Sequence, residues 1–157
     1  MSAIAPSVRA SVELRRPAPN PVPSQRVCAL VVSPDLDLRK PLLRALEALQ
    51  VDMAVCATRV QAEEMLGARL FDIIFCDEYL PDGTYFDLVQ ATCSSGIGPR
   101  VVVTTRTGDW DLYFAALEKG AFDVIRCPCY ARDVEMTVAR LWAEDRAPVR
   151  RTAQPIG

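Results

Sequence analysis

The sequence contains no histidine. This absence excludes catalytic triads built on histidine, histidine-ligated zinc and phosphohistidine chemistry on this chain. The sequence also has little excess of either charge, because 24% of its residues are charged but the formal net charge is only −2. The chain therefore has no overall basic field to hold a phosphate backbone, and we expect no nucleic-acid partner.

Long hydrophobic runs are missing as well. No apolar stretch approaches the roughly 18 to 20 residues that cross a bilayer, and the N-terminal residues lack the apolar block of a secretion signal. We therefore expect a cytoplasmic protein without a membrane partner. The six cysteines fall mostly inside apolar segments, and without an export signal this pattern predicts buried, reduced thiols. They are Cys28, Cys56, Cys76, Cys93, Cys127 and Cys129.

Prolines concentrate at the two ends of the chain. Residues 1–25 contain five of the 12 prolines, which disfavours helices and central strands and predicts a disordered, proline-rich tail. Residues 146–157 carry three arginines and two prolines without periodicity, which predicts a disordered basic tail. Residues 26–145 remain as one domain, and at 50% hydrophobic residues overall the chain can build a core.

Within this domain, short apolar segments alternate with segments whose apolar residues recur every three or four positions. The predicted strands are 26–32, 51–57, 71–76, 100–105 and 122–126, and the predicted helices are 35–49, 59–70, 84–93, 109–119 and 130–144. Strands that are apolar throughout are typical of a parallel sheet covered on both faces. We therefore predict an α/β fold, a (βα)5 doubly wound sandwich with its binding site at the carboxyl ends of the strands.

One segment at such a strand end carries a recognisable motif. Residues 71–88 read FDIIFCDEYLPDGTYFDL, in which an apolar strand ends in Asp77 and is followed by Pro81 and Asp82-Gly83. This segment resembles the phosphoacceptor region of receiver domains of bacterial two-component response regulators. The segments VVSPDLDLRK, PRVVVTT and LEKGAFDVIRCP resemble the first, fourth and fifth strand regions of the same family. The resemblance implies a flavodoxin-like five-stranded parallel sheet with strand order 2-1-3-4-5.

The family's chemistry uses an aspartate acceptor, an acidic pair that holds Mg²⁺, a hydroxyl and a lysine. By position, the resemblance implies Asp77 as the phosphoacceptor and Thr104 as the phosphoryl-contacting hydroxyl. The acidic pair falls on Ser33 and Pro34, and the lysine falls on Cys127. Serine and proline supply no negative charge, so we expect weak Mg²⁺ binding if any and assign no cofactor and no metal ligand.

Three nearby residues bear on whether the lost groups are replaced. Asp35 is a possible metal substitute, although capping rules favour a helix start with Ser33 as N-cap, Pro34 at the first helical position and Asp35 in the first turn. Arg106 can swing towards the site, whereas strand alternation directs Arg126 to the opposite face. The family's switch aromatic falls on Val124, so the usual aromatic switch is missing.

These residues predict a non-enzymatic receiver domain in phosphorelay signalling that acts through protein–protein interaction, with Asp77 as a weak or vestigial acceptor. No output domain follows residue 145 of the given sequence, so we expect a stand-alone module. A conventional Mg²⁺-dependent phosphoacceptor is the alternative. The expected partner is a sensor histidine kinase or another signalling protein, and the oligomeric state is left open. The family's usual docking face would use Asp111, Leu112, Ala115, Val124, Arg132, Glu135 and Arg140.

A different class of function is a redox or metal site at Cys127-Pro128-Cys129. Zinc normally takes four nitrogen or sulfur ligands, whereas this motif offers two at a close spacing. A cysteine at the lysine position is equally explained as a small buried side chain. The sequence therefore favours the receiver interpretation.

Overall fold

The computed structural model of the protein describes residues 26–93 and 98–145. The predicted tails, 1–25 and 146–157, lie outside the described residues. Helices and short strands alternate along the described part of the chain. The elements are β1 (Cys28–Val32), α1 (Leu36–Ala48), β2 (Asp52–Cys56), α2 (Arg59–Ala68), β3 (Ile73–Asp77), β4 (Tyr79–Leu80), β5 (Gly83–Thr84), α3 (Tyr85–Cys93), β6 (Arg100–Thr105), α4 (Trp110–Glu118), β7 (Asp123–Arg126) and α5 (Ala131–Asp145).

Five of the strands form one parallel sheet in the order β2-β1-β3-β6-β7. Because β6 and β7 are the fourth and fifth strands of this sheet along the chain, the predicted order 2-1-3-4-5 and the doubly wound (βα)5 fold are confirmed. The antiparallel β4–β5 hairpin was not predicted. Its strands have two residues each, which is too short for a hydrophobic pattern to show.

The core has two layers, one on each face of the sheet. Along β1 and β3, Val31 and Phe75 point to one face, where α1 and α5 supply buried residues such as Leu46 and Leu141. The alternate strand residues point to the other face, which α2, α3 and α4 cover. Both faces are therefore dry, which explains why the strands are apolar at nearly every position.

Helix starts fix the loops at the carboxyl edge of the sheet. At α3, the Thr84 hydroxyl accepts a hydrogen bond from the Phe86 N–H at 3.2 Å, and the Asp87 carboxylate accepts one from the Thr84 N–H at 3.0 Å. This reciprocal arrangement is a capping box. The hairpin ends at Thr84 and α3 begins at the next residue, Tyr85. The hydrogen bonds of the capping box therefore hold the segment that follows Asp77 to the start of α3.

The same hairpin is tied to α2 by Asp82. Its carboxylate accepts hydrogen bonds from the backbone N–H groups of Arg59, at 2.7 Å, and Val60, at 3.1 Å. The Arg59 Nε also donates to the Asp82 carbonyl at 3.1 Å. The Arg59 N–H bond is the main cause of a lowered pKa at Asp82. Asp82 therefore joins two loops at the functional edge of the sheet through the N-terminus of α2.

The cysteines were predicted to be reduced and buried, and the structure bears on both expectations. All six cysteines are free thiols, but Cys28 is only half-buried and Cys93 is exposed. The prediction of burial is wrong for Cys93 because this last residue of α3 faces solvent.

Among the described residues, no helix is long and apolar enough to cross a membrane.

Candidate functional site

Asp77 lies at the centre of the candidate site, as the last residue of β3. It is paired in register with Thr104 of β6, and the Thr104 hydroxyl donates to Asp77 Oδ1 at 2.6 Å. Ser33, directly after β1, donates its hydroxyl to Asp77 Oδ2 at 2.6 Å. The structure thus brings together three of the sequence-predicted site residues, because the carboxyl ends of neighbouring parallel strands meet at one edge.

The environment of Asp77 disfavours its charged form. Partial burial is the largest cause of a raised pKa, and the nearby carboxylate of Asp35 acts in the same direction. The hydrogen bonds from Ser33 and Thr104 and the positive charge of Arg106 oppose this rise without cancelling it. Among the residues of the protein, the charged form of Asp77 is therefore stabilised mainly by two neutral hydroxyl donors.

Asp35 caps α1, which corrects the predicted helix start. Its Oδ1 accepts hydrogen bonds from the backbone N–H groups of Asp37, at 3.0 Å, and Leu38, at 3.1 Å. Asp35 is thus the N-cap, and the prediction of Ser33 as N-cap with Pro34 in the helix was wrong. The physical reason is that the Ser33 hydroxyl donates to Asp77 and accepts from the Asp35 N–H at 3.2 Å, so it does not reach the helical amides.

Arg106 lines the same cleft as Asp77 and forms an ion pair with Asp35 Oδ2. The expectation that Arg106 can swing towards the site is therefore confirmed. A second arginine, Arg39 of α1, donates to the Ser33 carbonyl at 2.6 Å. Arg126, by contrast, is exposed and lines a different pocket, on the α4 side of β7, as strand alternation predicted.

A cleft of about 350 Å³ opens above Asp77. Glu78 contributes a third carboxylate to it, and the Thr105 hydroxyl donates to Glu78 at 3.2 Å. Cys127, at the family's lysine position, forms part of the wall and is buried. A thiol there supplies no positive charge, so among the described lining residues Arg106 is the single cation facing the carboxylates of Asp35, Asp77 and Glu78.

The donor groups present do not fit the octahedral magnesium site of the family. Mg²⁺ is held mainly by carboxylates and water, but Pro34 has no side-chain oxygen and Ser33 is engaged as a donor to Asp77. Both oxygens of Asp35 are also occupied, one by the α1 amides and one by Arg106. Within residues 26–93 and 98–145, no three Cys, Asp or Glu side chains are grouped to hold a metal ion.

The switch position and the predicted docking face lie on the edge strand β7 and its two flanking helices. Val124 is half-buried and lines a pocket of about 230 Å³ with Trp110 and Arg126. Leu112 of the predicted face is half-buried and packs against the core. The predicted face missed three large exposed apolar side chains, which are Trp110 at 68%, Phe114 at 59% and Met136 at 57% exposure.

The missed aromatic residues form a cluster on α4. The rings of Trp110 and Phe114 stack with centroids 5.9 Å apart, and Tyr113 meets each of them edge-on at 5.6 Å. Their spacing of three and four residues places them on adjacent positions of one helix surface. That spacing was readable in the sequence, but it is also the spacing of a core-facing stripe, so exposure could be settled only by the fold.

Comparison with known proteins gives consistent results. A sequence profile described as the response regulator receiver domain matches residues 29–139. The response regulator protein PilR of Pseudomonas aeruginosa is 33% identical over 100 residues, which is 64% of this chain and 22% of PilR. The regulatory protein LuxO of Vibrio cholerae is 32% identical over 93 residues, which is 59% of this chain and 20% of LuxO. The chain thus spans about a fifth of the length of these relatives.

Solved structures agree at the level of the fold. The receiver domain of the Francisella response regulator 1452 superposes with a TM-score of 0.69 at 16% identity, over 77% of this chain and all of that one (100%). The chemotaxis response regulator CheY4 of Vibrio cholerae gives 0.66 at 18% identity, over 74% and 99%. Since the profile covers well over half of the sequence and the sheet has the matching order, the chain belongs to the receiver domain family of two-component response regulators.

Proposed function

We propose that this receiver domain signals mainly through non-covalent association with another protein and that Asp77 is a weak or vestigial phosphoacceptor. One observation carries the proposal. The two positions that hold the family's acidic pair are Ser33 and Pro34, and the nearest replacement carboxylate, Asp35, is held by Arg106 and by the start of α1.

The charge balance of the cleft supports this assignment. A phosphoryl group on Asp77 would replace the single negative charge of its carboxylate with a charge of about −1.5 to −2, in a cleft that already contains the carboxylates of Asp35 and Glu78. Arg106 is the single cation among the described residues of that lining, and it is already paired with Asp35. Because Cys127 replaces the lysine, the added charge would meet more repulsion than compensation.

The surface around β7 supports the association part of the proposal. In the aromatic cluster of α4 (Trp110, Tyr113 and Phe114), Trp110 and Phe114 are exposed and Tyr113 is half-buried. Met136 of α5 is also exposed. Exposed aromatic side chains in a contiguous patch are enriched at protein interfaces. The proposed partner is a sensor histidine kinase or another signalling protein, bound at this face of α4, β7 and α5.

Phosphoryl transfer to the full chain tests the first part directly. The protein is incubated with Mg²⁺ and acetyl phosphate, and its intact mass is followed beside Asp77→Asn and Pro34→Asp. We expect little gain of one phosphoryl group in the wild type, none in Asp77→Asn, and more in Pro34→Asp, which returns one carboxylate to an exposed position. Rapid and complete modification of the wild type that Asp77→Asn abolishes would overturn the proposal in favour of a conventional phosphoacceptor.

Binding to purified sensor-kinase domains tests the second part. We expect a sensor-kinase domain that binds the wild-type protein to bind Asp77→Asn with the same affinity. The same kinase domain should bind Trp110→Ala at least about tenfold more weakly, because a large exposed aromatic residue is a common binding hot spot. Leu36→Ala, which removes an exposed apolar residue of α1, a helix that is not part of this face, is the matched control. Loss of binding in Asp77→Asn, with Trp110→Ala unaffected, would contradict association at the α4 face.

A further inference from the structure

A second pocket, separate from the Asp77 cleft, lies between the start of α4 and the edge strand β7 and has a volume of about 230 Å³. Its lining is aromatic and apolar at Trp110, Tyr113 and Val124, and Arg126 adds a positive charge. The pocket is smaller than the roughly 300–1,000 Å³ of pockets that hold drug-sized ligands. Its size therefore suits a ligand of one or two rings.

Three of the lining residues carry side-chain donors that the protein itself does not use. Within residues 26–93 and 98–145, the Trp110 indole N–H, the Tyr113 hydroxyl and the Arg126 guanidinium have no hydrogen-bond or ion-pair partner. Binding pockets for small molecules typically combine an apolar lining with a few polar groups that fix the orientation of the ligand. The residues of this pocket offer that combination.

The position of Arg126 is defined by the loop before α4. A Cβ atom placed on Gly108 would come within 3.4 Å of Arg126 Nη1 and 3.6 Å of its Cδ. The arginine side chain therefore packs against the loop backbone, close to the N-terminal end of α4. A guanidinium group held in this way can form two parallel hydrogen bonds with one carboxylate.

The charges of the lining limit the ligand to a single negative charge. Among the described residues of this pocket, Arg126 is the one cation and Asp109 is the one carboxylate. Asp109 is the N-cap of α4, and its Oδ1 accepts a hydrogen bond from the Asp111 N–H at 3.0 Å. Its charge is thus stabilised by the helix start, which leaves Arg126 for the ligand. A second negative charge on the ligand would be repelled by Asp109.

We propose that this pocket binds a small aromatic carboxylate, with one or two planar rings and one negative charge. The ligand ring packs against Trp110, Tyr113 and Val124, in the offset or edge-on arrangements that aromatic rings prefer. The ligand carboxylate pairs with Arg126 and accepts further hydrogen bonds from the free donors of the lining. Binding is non-covalent and reversible.

The position of the pocket connects the ligand to both functional regions of the domain. Thr105 and Thr107 line this pocket and also the Asp77 cleft, and Trp110 belongs to the proposed docking face. A bound ligand would occupy part of that face, so it would provide an input that does not need phosphorylation of Asp77. The inference rests on the pocket alone and does not depend on the proposed function.

Titration of the isotope-labelled full chain with benzoate tests the proposal by nuclear magnetic resonance. The chain has two tryptophans, and a Trp142→Phe variant identifies the indole N–H signal of Trp110. We expect benzoate to shift this signal saturably, with a Kd of about 1 mM or lower. Benzamide lacks the charge and cyclohexanecarboxylate lacks the aromatic ring, and each should bind at least about tenfold more weakly.

A pair of arginine variants shows whether the pocket is responsible. Arg126→Gln, at an exposed position, should weaken benzoate binding at least about tenfold because the ligand loses its cation. Arg132→Gln removes an exposed arginine of α5 outside this lining and is the matched control. Asp77→Asn should bind benzoate as the wild type does, so this test and the test of phosphoryl transfer can fail separately.

Three results would overturn the proposal. They are the absence of a saturable shift of the Trp110 signal up to about 20 mM benzoate, equal affinities for benzoate and benzamide, and an unchanged affinity in Arg126→Gln. A Trp110 signal that responds to a sensor-kinase domain but not to benzoate is the first of these results, and it would assign the pocket to a side chain of a protein partner.

Discussion

Ser33 and Asp77 show how one substitution changes the chemistry at a strand end. A carboxylate after β1 would repel Asp77 and attract a cation, whereas the Ser33 hydroxyl donates a hydrogen bond of 2.6 Å to it. With Thr104 on its other oxygen, Asp77 has neutral partners that satisfy its hydrogen-bonding needs and leave its charge uncompensated. Each carboxylate oxygen of Asp77 thus has a hydrogen-bond donor within the protein itself.

The raised pKa of Asp77, caused chiefly by burial, gives a prediction for stability. The folded protein holds the Asp77 proton more tightly than the unfolded chain, so this residue's contribution to stability decreases as pH rises from the unfolded-state pKa through the raised folded-state pKa. Asp77→Asn removes the charge and keeps polar atoms beside both hydroxyls. We expect its Tm near neutral pH to rise by about 2–4 °C, the shift that ~1 kcal/mol gives in a chain of this size.

Thermal unfolding followed by circular dichroism measures this effect. Glu64→Gln, which neutralises an exposed carboxylate of α2, is the control and should change Tm much less. The difference between Asp77→Asn and the wild type should shrink as the pH is lowered and Asp77 becomes protonated. A Tm for Asp77→Asn equal to or below that of the wild type at neutral pH would show that the folded protein compensates the negative charge of Asp77.

At the scale of elements, the loops around the site are held by carboxylates at helix N-termini. Asp35 caps α1 and Asp109 caps α4, while Asp82 of the β4–β5 hairpin accepts hydrogen bonds from the first two amides of α2. Each of these helices begins beside the carboxyl edge of the sheet, and the start of α1 contributes Asp35 and Leu38 to the wall of the cleft. Asp35 is the residue in which capping competes most directly with any role in ion binding.

Asp82 allows the coupling between the hairpin and α2 to be measured. In Asp82→Ala, the backbone N–H groups of Arg59 and Val60 lose their acceptor, and we expect their hydrogen exchange to be about tenfold faster. The Gln61 N–H is the internal control, because it donates to Thr58 Oγ1 at 3.2 Å and should change least. Equal exchange of all three amides in variant and wild type would show that Asp82 does not hold the helix start.

Acid should reproduce this loosening in the wild type. The pKa of Asp82 is lowered in the folded protein, so its contribution is complete above the unfolded-state pKa and is lost as pH falls through the lowered folded-state pKa. The prediction concerns local exchange at Arg59 and Val60. Their protection should decline in acid before that of the core strands does.

The elements differ in how far the sequence predicts them. The strands and helices of the main fold followed from apolar segments and helical periodicity to within two residues at each boundary, because both faces of the sheet are buried. The β4–β5 hairpin did not, since it is held by backbone pairing and by Asp82, which lies 22 residues or more from its partners on α2. The start of α1 was misplaced because Ser33 is drawn to Asp77, 44 residues away.

The candidate site shows the same limit. The chain positions of Asp77, Thr104 and Ser33 were predictable because parallel strands end at one edge. The Arg106–Asp35 ion pair joins residues 71 positions apart. Strand alternation was the one local pattern that favoured Arg106 over Arg126 at the site, and it did not predict Asp35 as the partner of Arg106.

At the scale of the whole molecule, α1 and α5 share one core layer and the remaining helices share the other. Leu141 of α5 is 1% exposed and packs in the first layer with Leu46. We expect Leu141→Ala to lower the free energy of unfolding by about 2–4 kcal/mol through lost contacts and a residual cavity. Urea denaturation gives the value, and the neighbouring Trp142→Ala, at a position 42% exposed, should cost less.

Magnesium titration of the whole protein tests the central claim most directly. Tryptophan fluorescence is recorded in a Trp142→Phe background, which leaves Trp110, the first residue of α4, as the single tryptophan of the chain. We predict no saturable change below about 10 mM Mg²⁺ with Ser33 and Pro34 in place, and saturation at roughly millimolar Mg²⁺ once both are replaced by Asp. Saturation near 1 mM with Ser33 and Pro34 in place, abolished by Asp77→Asn, would contradict the account.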